Sequence, residues 1–402
     1  MTLLLAVAIG LVVFGVVLQD AFEVMLLPRR VKRRWRLTRY FFRWTWLLWA
    51  ALARVVPAGG RRERFLGIYG SLAMTFLFAL WAAALILAFG LLQWAAQQWG
   101  GVRPASDLGG QIYLSGVTFF TLGYGDVVPH TPPARVLAVV EAGVGFGLIA
   151  VVIGYLPVLY QLFSRREAHV LQLDARAGSP PTATTLLRRH AESGGLDKID
   201  EVLRAWEIWG AELLESHLSY PMLAYYRSQH HDQSWLAALA AIMDTCVLIL
   251  IGVEDLKQLQ ARMTFAMARQ VVLEMARSLE VSAPPVVERD RLPAEDFERM
   301  LETFQEAGLT WNGGEAAQET LAGVRGTYEP VMEGLAKYLL IPLPPWVADH
   351  DSIDHWERGA RGIIASRLIG GLADGSISEA STRGDAGRGG WIGRVRQRPK
   401  SR

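Results

Sequence analysis

Three apolar stretches suited to membrane helices lie within the first 163 residues of the chain, and a more charged region follows them. Residues 65–102 contain no charged side chain, and this run is far longer than the ~20 residues that a helix needs to cross a bilayer. Residues 136–163 are apolar apart from Glu141 and Gln161. Residues 3–18 form a shorter run with no basic segment before it, so we predict a retained membrane helix there and not a cleaved leader.

A fourth apolar stretch, residues 41–56, fits a membrane span poorly. It contains three tryptophans as well as Arg43 and Arg54, and basic residues flank both of its ends. A crossing would place one of those basic clusters outside. We therefore predict an amphipathic helix that lies at the inner interface, anchored by its tryptophans, and a true crossing remains the alternative. The N-terminus lies outside if this helix lies flat.

Basic residues mark the ends of the predicted spans that face the cytoplasm, because cytoplasmic loops collect lysine and arginine. They cluster at three places: residues 29–39, residues 61–64 and residues 165–166. The connection 93–111 contains only Arg103 and Asp107, which fits the outside. Asp20 and Glu23 lie one helical turn apart near the membrane edge, where we expect them to pair with the arginines that follow.

Beyond residue 165 the apolar positions follow a helical period, after a break in the linker 177–181. We predict helices at residues 197–218, 233–253, 257–280, 294–306 and 315–338. The second nearly reaches spanning length but contains Asp244, so we predict a buried helix in a bundle; a crossing is the alternative. In the third, Met263, Met267 and Met275 are expected in the core. The segment 342–346 reads as a turn, and the tail after residue 371 reads as disordered and basic.

Composition excludes several kinds of chemistry. The net charge is only +2, and the one cysteine, Cys246, permits neither an intrachain disulfide nor a cysteine-rich metal site. No G-x-G-x-x-G motif follows residue 165, which argues against a nucleotide-binding α/β domain. No nucleophile–base pair, phosphate loop or metal motif is visible. We therefore predict neither an enzyme nor a nucleic-acid-binding protein.

The best candidate site in the second half of the chain contains His217, His230, His231 and Asp232. These side chains offer ligands for a divalent metal, and histidine also titrates near neutral pH. Adjacent histidines rarely bind one ion, and no H-x-x-x-H spacing occurs here. A polar corner between helices is therefore the competing interpretation, and the sequence identifies no ligand for this region.

The most informative motif lies between the apolar stretches 65–102 and 136–163. Residues 118–126 read T-x-x-T-x-G-Y-G-D. The motif resembles a potassium-channel filter, in which a potassium ion loses its water only where a ring of oxygens replaces the hydration shell. Successive backbone carbonyls must then point toward one axis, and glycine adopts the required backbone angles at little steric cost, which explains Gly123 and Gly125.

This motif resembles the selectivity filter of potassium channels of the two-helix, single-pore-loop type. The resemblance implies that the carbonyls of Thr121, Leu122, Gly123 and Tyr124, with the Thr121 hydroxyl, line the ion path beside Gly125 and Asp126. Leu122 departs from the usual valine or isoleucine, which changes side-chain packing but not the carbonyl. Residues 108–120 are then a pore helix whose C-terminal end favours a cation.

The resemblance also implies roles around the filter. Tyr113 and Asp126 are expected to bond behind it, with Thr118 as a further support. Glu141 costs several kcal/mol at membrane depth unless it is buried against partners, so we expect it behind the pore helix near Ser115 or Thr118. A gate is expected on the inner helix: Gly145 as the hinge, and Phe146, Ile149, Ile153 and Pro157 on one face of the cavity, where an apolar constriction gates by dewetting.

Five regions follow: a membrane helix at 1–27, an interfacial segment at 28–64, a pore domain at 65–163, a helical cytoplasmic regulatory domain at 164–371 and a tail at 372–402. The fold class is an all-α membrane protein. One pore loop per chain requires four subunits, so we expect a homotetramer in the cell membrane that conducts K⁺ and has no other cofactor. An unknown cytoplasmic ligand remains open. The alternatives are a poorly selective cation channel and a non-conducting membrane-anchored sensor or scaffold.

Overall fold

The computed structural model describes residues 2–27, 37–99, 101, 107–229, 233–254, 256–285, 289–348, 362 and 364–365. The described residues form helices with no extended sheet. The α-helices are α1 (Thr2–Met25), α2 (Leu37–Val55), α3 (Gly60–Trp99), α4 (Leu108–Phe119), α5 (Pro132–Ala177), α6 (Ala183–Glu192), α7 (Ile199–Ser219), α8 (Trp235–Ile251), α9 (Gln258–Leu279), α10 (Ala294–Glu306), α11 (Glu315–Gly326) and α12 (Glu329–Leu339). Short 3₁₀ turns cover Leu196–Lys198 and Pro221–Tyr225. The predicted tail at 372–402 lies outside the described residues.

Three of these helices, α1, α3 and α5, are long and apolar enough to cross a membrane, so the protein is an all-α membrane protein. Helices α3 and α5 contain 40 and 46 residues, or about 60 and 69 Å at 1.5 Å per residue. Both exceed the ~30 Å apolar layer, so each continues beyond it. Helix α5 extends past the predicted end at residue 163 and ends at Ala177, where Gly178 adopts a φ of 86° before two prolines.

Helix α2 is not one of the three candidate spans. Its buried side chains face α3 and the C-terminal helices: Thr38, Phe42, Trp46, Ala50 and Ala53. The Trp46 indole donates to the Tyr338 carbonyl at 2.9 Å, and Arg39 and Arg43 pair with Glu280. These contacts place α2 between the membrane helices and the C-terminal domain, which agrees with an interfacial helix. The side of the membrane on which the N-terminus lies stays a prediction.

Asp20 joins three helices at one buried point. Its carboxylate accepts hydrogen bonds from the Thr38 backbone N–H (3.2 Å), the Thr38 hydroxyl (2.5 Å) and the Trp81 indole (3.1 Å). The described partners of Asp20 are these neutral donors from α2 and α3, and residues 29–36, which hold most of the arginines expected to pair with Asp20 and Glu23, lie outside the described residues. Glu23 accepts from the Gln19 amide at 3.1 Å. Asp20 therefore fixes where α2 starts relative to α1 and α3.

The C-terminal domain is a helical bundle built around α8. Almost every residue of α8 is buried, including Asp244, which confirms the predicted buried helix. One helix was predicted over 315–338, but the chain forms α11 and α12, because Pro330 starts a new helix and cannot continue the preceding one. Val271, Val272 and Met275 of α9 are buried, whereas Met263 is 41% exposed and is not a core residue.

A segment of six residues, 221–226, connects this bundle to the membrane helices; we call it the collar segment. The Tyr225 ring lies 5.1 Å from the Trp46 ring, and its hydroxyl is 3.0 Å from that of Tyr338. The Tyr226 ring covers Gly70 of α3, where an added Cβ would lie 2.7 Å from the ring. Arg166 of α5 donates to the carbonyls of Leu223 (2.9 Å) and Tyr226 (2.8 Å). The collar segment thus contacts α2, α3 and α5 together.

A buried ionic network fixes the interior of the C-terminal domain. Asp244 accepts from Arg291 at 2.5 and 3.3 Å and from the Tyr328 hydroxyl at 2.8 Å. Arg291 also donates to Glu329 at 3.1 Å and to the Pro344 carbonyl at 2.9 Å. Burial raises the pKa of Asp244 to about 6, although the bonds from Arg291 and Tyr328 act in the opposite direction. The network joins α8 to α12 and to the chain after it.

We predict that Asp244→Asn destabilises this domain strongly. The change leaves the Arg291 guanidinium buried and facing an amide, and breaking a buried ion pair costs about 3–5 kcal/mol. The measurement is the thermal unfolding midpoint of the purified full-length protein in detergent. The matched control is Asp296→Asn, which breaks a partly exposed pair with Arg299 (3.1 Å) and should cost about 0–1 kcal/mol. Equal shifts in the two variants would contradict the prediction.

Candidate functional site

The filter loop, residues 121–126, begins directly at the C-terminal end of α4. Asp107 caps the start of α4 by accepting from the Gly110 N–H at 3.2 Å. At the other end, the Phe120 N–H donates to the Gly116 carbonyl at 3.1 Å and the Leu122 N–H to the Val117 carbonyl at 2.8 Å. The loop therefore starts from a helix end that these hydrogen bonds hold in place, and the helix dipole places negative potential beside the loop.

The backbone of the filter loop adopts positive φ at every second residue. The φ angles are 57° at Thr121, 59° at Gly123 and 78° at Gly125. In an extended chain successive carbonyls point to opposite sides, and a left-handed residue at alternate positions turns them to the same side. Glycine was expected to supply this conformation. The sequence analysis did not predict the positive φ at Thr121, because a β-branched residue with positive φ is an outlier that only the surrounding structure can enforce.

Side chains from α4 and α3 hold the filter loop and the chain that follows it. The Tyr113 hydroxyl donates to Asp126 at 2.9 Å, which is the predicted pair. Gln97 of α3 donates to the Val128 carbonyl at 3.4 Å and accepts from the His130 N–H at 3.3 Å. Gln93, one turn earlier, donates to the Ala134 carbonyl at 3.1 Å. The sequence analysis missed both glutamines, although two amides four residues apart on an otherwise apolar helix were a usable signal.

Thr118 lies in the last turn of the pore helix, and Glu141 of α5 lies behind that helix beside Ser115, as expected. The Thr118 carbonyl accepts from the Thr121 N–H at 3.0 Å. Glu141 is fully buried, and its Oε1 is hydrogen-bonded to the Ser115 hydroxyl. Among the described residues, the buried oxygens Glu141 Oε2, Gln93 Oε1 and Gln111 Oε1 have no hydrogen-bond partner. Helices α3, α4 and α5 therefore enclose a cluster of buried polar side chains behind the filter loop, at membrane depth.

The hydrogen count in this cluster limits the state of Glu141. The Ser115 hydroxyl carries one hydrogen, and it lies 2.7 Å from the Ile86 carbonyl, which can only accept. If that hydrogen goes to Ile86, the bond between Ser115 and Glu141 needs a hydrogen from the carboxyl group. The arrangement thus fits a neutral carboxylic acid that donates to Ser115, and no charged side chain is hydrogen-bonded to this acid in the described structure.

The predicted gate residues lie on α5, which is one continuous helix through Gly145 and Pro157. An added Cβ at Gly145 would lie 2.2 Å from the Phe119 carbonyl, so a close approach of α5 to the end of α4 requires glycine there. This contact accounts for Gly145 without a hinge, and hinge motion stays a prediction. Phe146, Ile149, Ile153 and Pro157 are all exposed on the single chain.

The histidine candidates separate into described and undescribed residues. His217 is buried, with Nδ1 2.8 Å from the Leu213 carbonyl and Nε2 3.3 Å from Arg166. Burial and then the charge of Arg166 lower its pKa to about 3, so it does not titrate near neutral pH. His230, His231 and Asp232 lie outside the described residues. Within the part of the chain that the structure describes, no group of three His, Cys, Asp or Glu side chains could hold a metal.

The comparison with known proteins bears on the same region. Residues 74–161 match the protein-family model described as "Ion channel". The match covers α3 from Met74, the pore helix, the filter loop and α5 as far as Gln161. The chain therefore contains an ion-channel domain. The family model covers this domain and not the helical C-terminal part.

A curated relative is also a membrane protein. The chain is 21% identical over 223 residues to the "Uncharacterized membrane protein YdjJ" of Bacillus subtilis (strain 168). The alignment covers 54% of this chain and 62% of that protein, so less than two thirds of the relative is represented. No solved structure matches the chain.

We predict that Glu141→Gln preserves the protein and that Glu141→Ala destabilises it. A glutamine amide can replace the carboxyl hydrogen that Ser115 accepts, whereas alanine leaves buried polar atoms unpaired at a cost of about 1–3 kcal/mol. The measurements are the thermal unfolding midpoint and the infrared band of a protonated carboxyl group. That band should decrease in Glu141→Gln relative to the unmodified protein. Equal destabilisation by both substitutions would contradict the assignment.

Proposed function

We propose that this protein is a potassium-selective channel that conducts K⁺ passively through a homotetrameric pore. The observation that carries the proposal is the alternation of positive φ at Thr121, Gly123 and Gly125, within an ion-channel domain. This alternation gives a column of carbonyl oxygens in place of a hydration shell. The Thr121 hydroxyl extends the column inward, and K⁺ is the transported ion and not a resident cofactor.

Four copies of the chain are needed because each supplies one filter loop. A ring of carbonyls around one axis requires closed rotational symmetry. On the single chain, Tyr124 and Phe146 are each 67% exposed and Leu122 is 53% exposed. Large apolar side chains beside a strained loop are not stable in contact with water, and neighbouring subunits would cover those that face away from the pore axis.

The gate lies at the inner helices, and the C-terminal domain modulates it. Ile153 is 67% exposed, and one turn later Pro157 is exposed on the same face of α5. Four copies of this face would form an apolar constriction that closes by dewetting. Arg166 follows on the same helix and binds the collar segment, so a shift of the domain bends or rotates α5 directly. We propose that the domain responds to a cytoplasmic ligand.

Two other functions compete with this one. Leu122 replaces the usual β-branched valine or isoleucine. If neighbouring subunits do not pack against its side chain, the filter loop is less rigid, which favours a poorly selective cation channel. A membrane-anchored sensor or scaffold would not conduct at all. Passive conduction needs no catalytic group, and we propose no enzymatic activity.

The first test is potassium-over-sodium flux through the purified protein in liposomes, with barium as the blocker. We expect barium-sensitive K⁺ flux that Gly123→Ala lowers by roughly tenfold or more, because left-handed backbone costs a chiral residue about 1–2 kcal/mol in every subunit. Gly116→Ala is the matched control, since this pore-helix glycine has space for a Cβ and a helical backbone. Equal K⁺ and Na⁺ flux would identify the poorly selective channel. No flux from the full-length protein, and none from a variant that lacks residues 172–402, would favour the scaffold.

The second test concerns coupling between the domain and the gate. Arg166→Gln removes the donors to the Leu223 and Tyr226 carbonyls, so we expect an altered open probability in single-channel recordings with an unchanged K⁺ to Na⁺ ratio. The adjacent Arg165→Gln is the matched control, because Arg165 makes an exposed pair with Glu212 that contributes little. Identical gating in the two variants would exclude coupling through the collar segment.

A further inference from the structure

A large cavity lies where the membrane helices meet the C-terminal domain. Its volume is about 1180 Å³, and it is bounded by the start of α3, by α5, by residues 226–229 and by the chain from 289 to 345. One wall belongs to the membrane helices and includes Gly67, Ser71, Tyr160 and Phe163. The other walls carry many charged side chains. The cavity is therefore apolar where α3 and α5 line it from Gly67 onward, and ionic at the start of α3 and on the domain side.

The acidic residues in the cavity walls are all paired with cations. Glu63 faces Arg227 at 3.8 Å, Glu329 pairs with Arg291 at 3.1 Å and Glu333 with Lys337 at 3.0 Å. Asp290 and Asp296 pair with Arg325 and Arg299, which are outside the wall. Each acidic residue in the described wall therefore already has a basic partner, and none is available to pair with another basic side chain of the wall.

Three wall arginines lack any acidic partner among the described residues: Arg62, Arg64 and Arg289. Arg62 donates to the Val56 carbonyl at 2.8 Å and Arg64 to the Gly60 carbonyl at 3.3 Å, and both of these acceptors are neutral. Uncompensated guanidinium groups on the wall of a cavity attract anions, and guanidinium matches the geometry of phosphate oxygens. Among the described residues, the cavity wall therefore carries a net positive charge.

Two further features of the same walls favour an anion. Helix α3 begins at Gly60 in the cavity wall, and the first turn of a helix presents unpaired N–H groups and positive potential. The Ser228 hydroxyl oxygen is buried and has no hydrogen-bond partner among the described residues. A hydroxyl and helix-terminal amides are common phosphate donors, and Ser228 and the start of α3 line the same cavity as these arginines.

We propose that this cavity binds a phosphate-bearing anion, and that its carrier is an anionic lipid of the cytoplasmic leaflet. Arg64 and Arg289 hold the headgroup, while the apolar wall formed by Gly67, Tyr160 and Phe163 accepts the upper part of the acyl chains. Basic pockets between membrane helices on the cytoplasmic side are suited to such headgroups. A soluble phosphate compound would satisfy the arginines but would leave the apolar wall exposed to water.

The site has a direct consequence for the pore. Tyr160 and Phe163 belong to α5, so an occupied cavity holds the cytoplasmic part of the inner helix against α3 and the C-terminal domain. The placement in the cytoplasmic leaflet rests on the proposed channel topology, whereas anion binding itself does not. The test below therefore measures binding and not conduction.

The experiment titrates full-length protein in neutral detergent with phosphatidylglycerol that carries a fluorescent acyl chain. The same tail on phosphatidylcholine serves as the zwitterionic comparison. We expect preferential binding of phosphatidylglycerol, and a dissociation constant about tenfold or more higher in the double variant Arg64→Gln with Arg289→Gln, because each surface-proximal arginine contributes appreciably to anionic lipid binding.

The matched control is Arg204→Gln with Arg262→Gln, which removes two exposed charges from α7 and α9 away from the cavity. Its affinity should stay within about twofold of the unmodified protein. Displacement of the lipid by millimolar inorganic phosphate would support the anion site and identify a soluble carrier. Equal affinity for both lipids, or equal loss in both double variants, would overturn the proposal. Preferential binding by a protein that fails the separate liposome flux test would support the anion site and count only against the proposed channel.

Discussion

The constraint on which the structure depends is a backbone conformation: residues 121, 123 and 125 of the filter loop are left-handed, and the first of them is a threonine that only its surroundings can hold there. Such a loop does not hold its shape by itself. Tyr113 bonds the outer end of the loop, and Gln93 and Gln97 of α3 bond the chain that follows it. Backbone hydrogen bonds at the C-terminal end of α4 fix the start of the loop.

Close packing of the surrounding helices follows from the same need. Gly145 allows α5 to touch the last carbonyl of α4, and Gly90 allows α3 to approach Ile112. Small residues permit such contacts between membrane helices, where no hydrophobic force drives association. A side chain at either position would push a helix away from the loop. The fully buried cluster around Glu141 then closes the space behind the filter with polar groups and not with lipid-like packing.

The periodicity of the chain was sufficient to predict the spans, the pore helix and most helices of the C-terminal domain, because each has an apolar face or a long apolar run. Glu141 was also expected near Ser115, since a lone acid at that depth must find a polar neighbour. Contacts between distant segments were not accessible. Asp20 bonds Thr38 and Trp81, and Trp46 bonds Tyr338, through tertiary packing that leaves no local pattern. Likewise, the net charge of the cavity wall follows only from the structure, because it depends on which acidic partner each arginine has.

The unbroken course of α5 from Pro132 to Ala177 has a consequence for how the two halves of the protein evolve together. The first helix of the C-terminal domain follows after a turn of five residues, so α5 and that domain are joined by a short connection. One residue inserted into α5 beyond the filter contact would turn everything after it by about 100° and move it by about 1.5 Å. The collar segment would then no longer meet α2 and α3. Insertions and deletions should therefore be tolerated at the ends of α5 far better than within it.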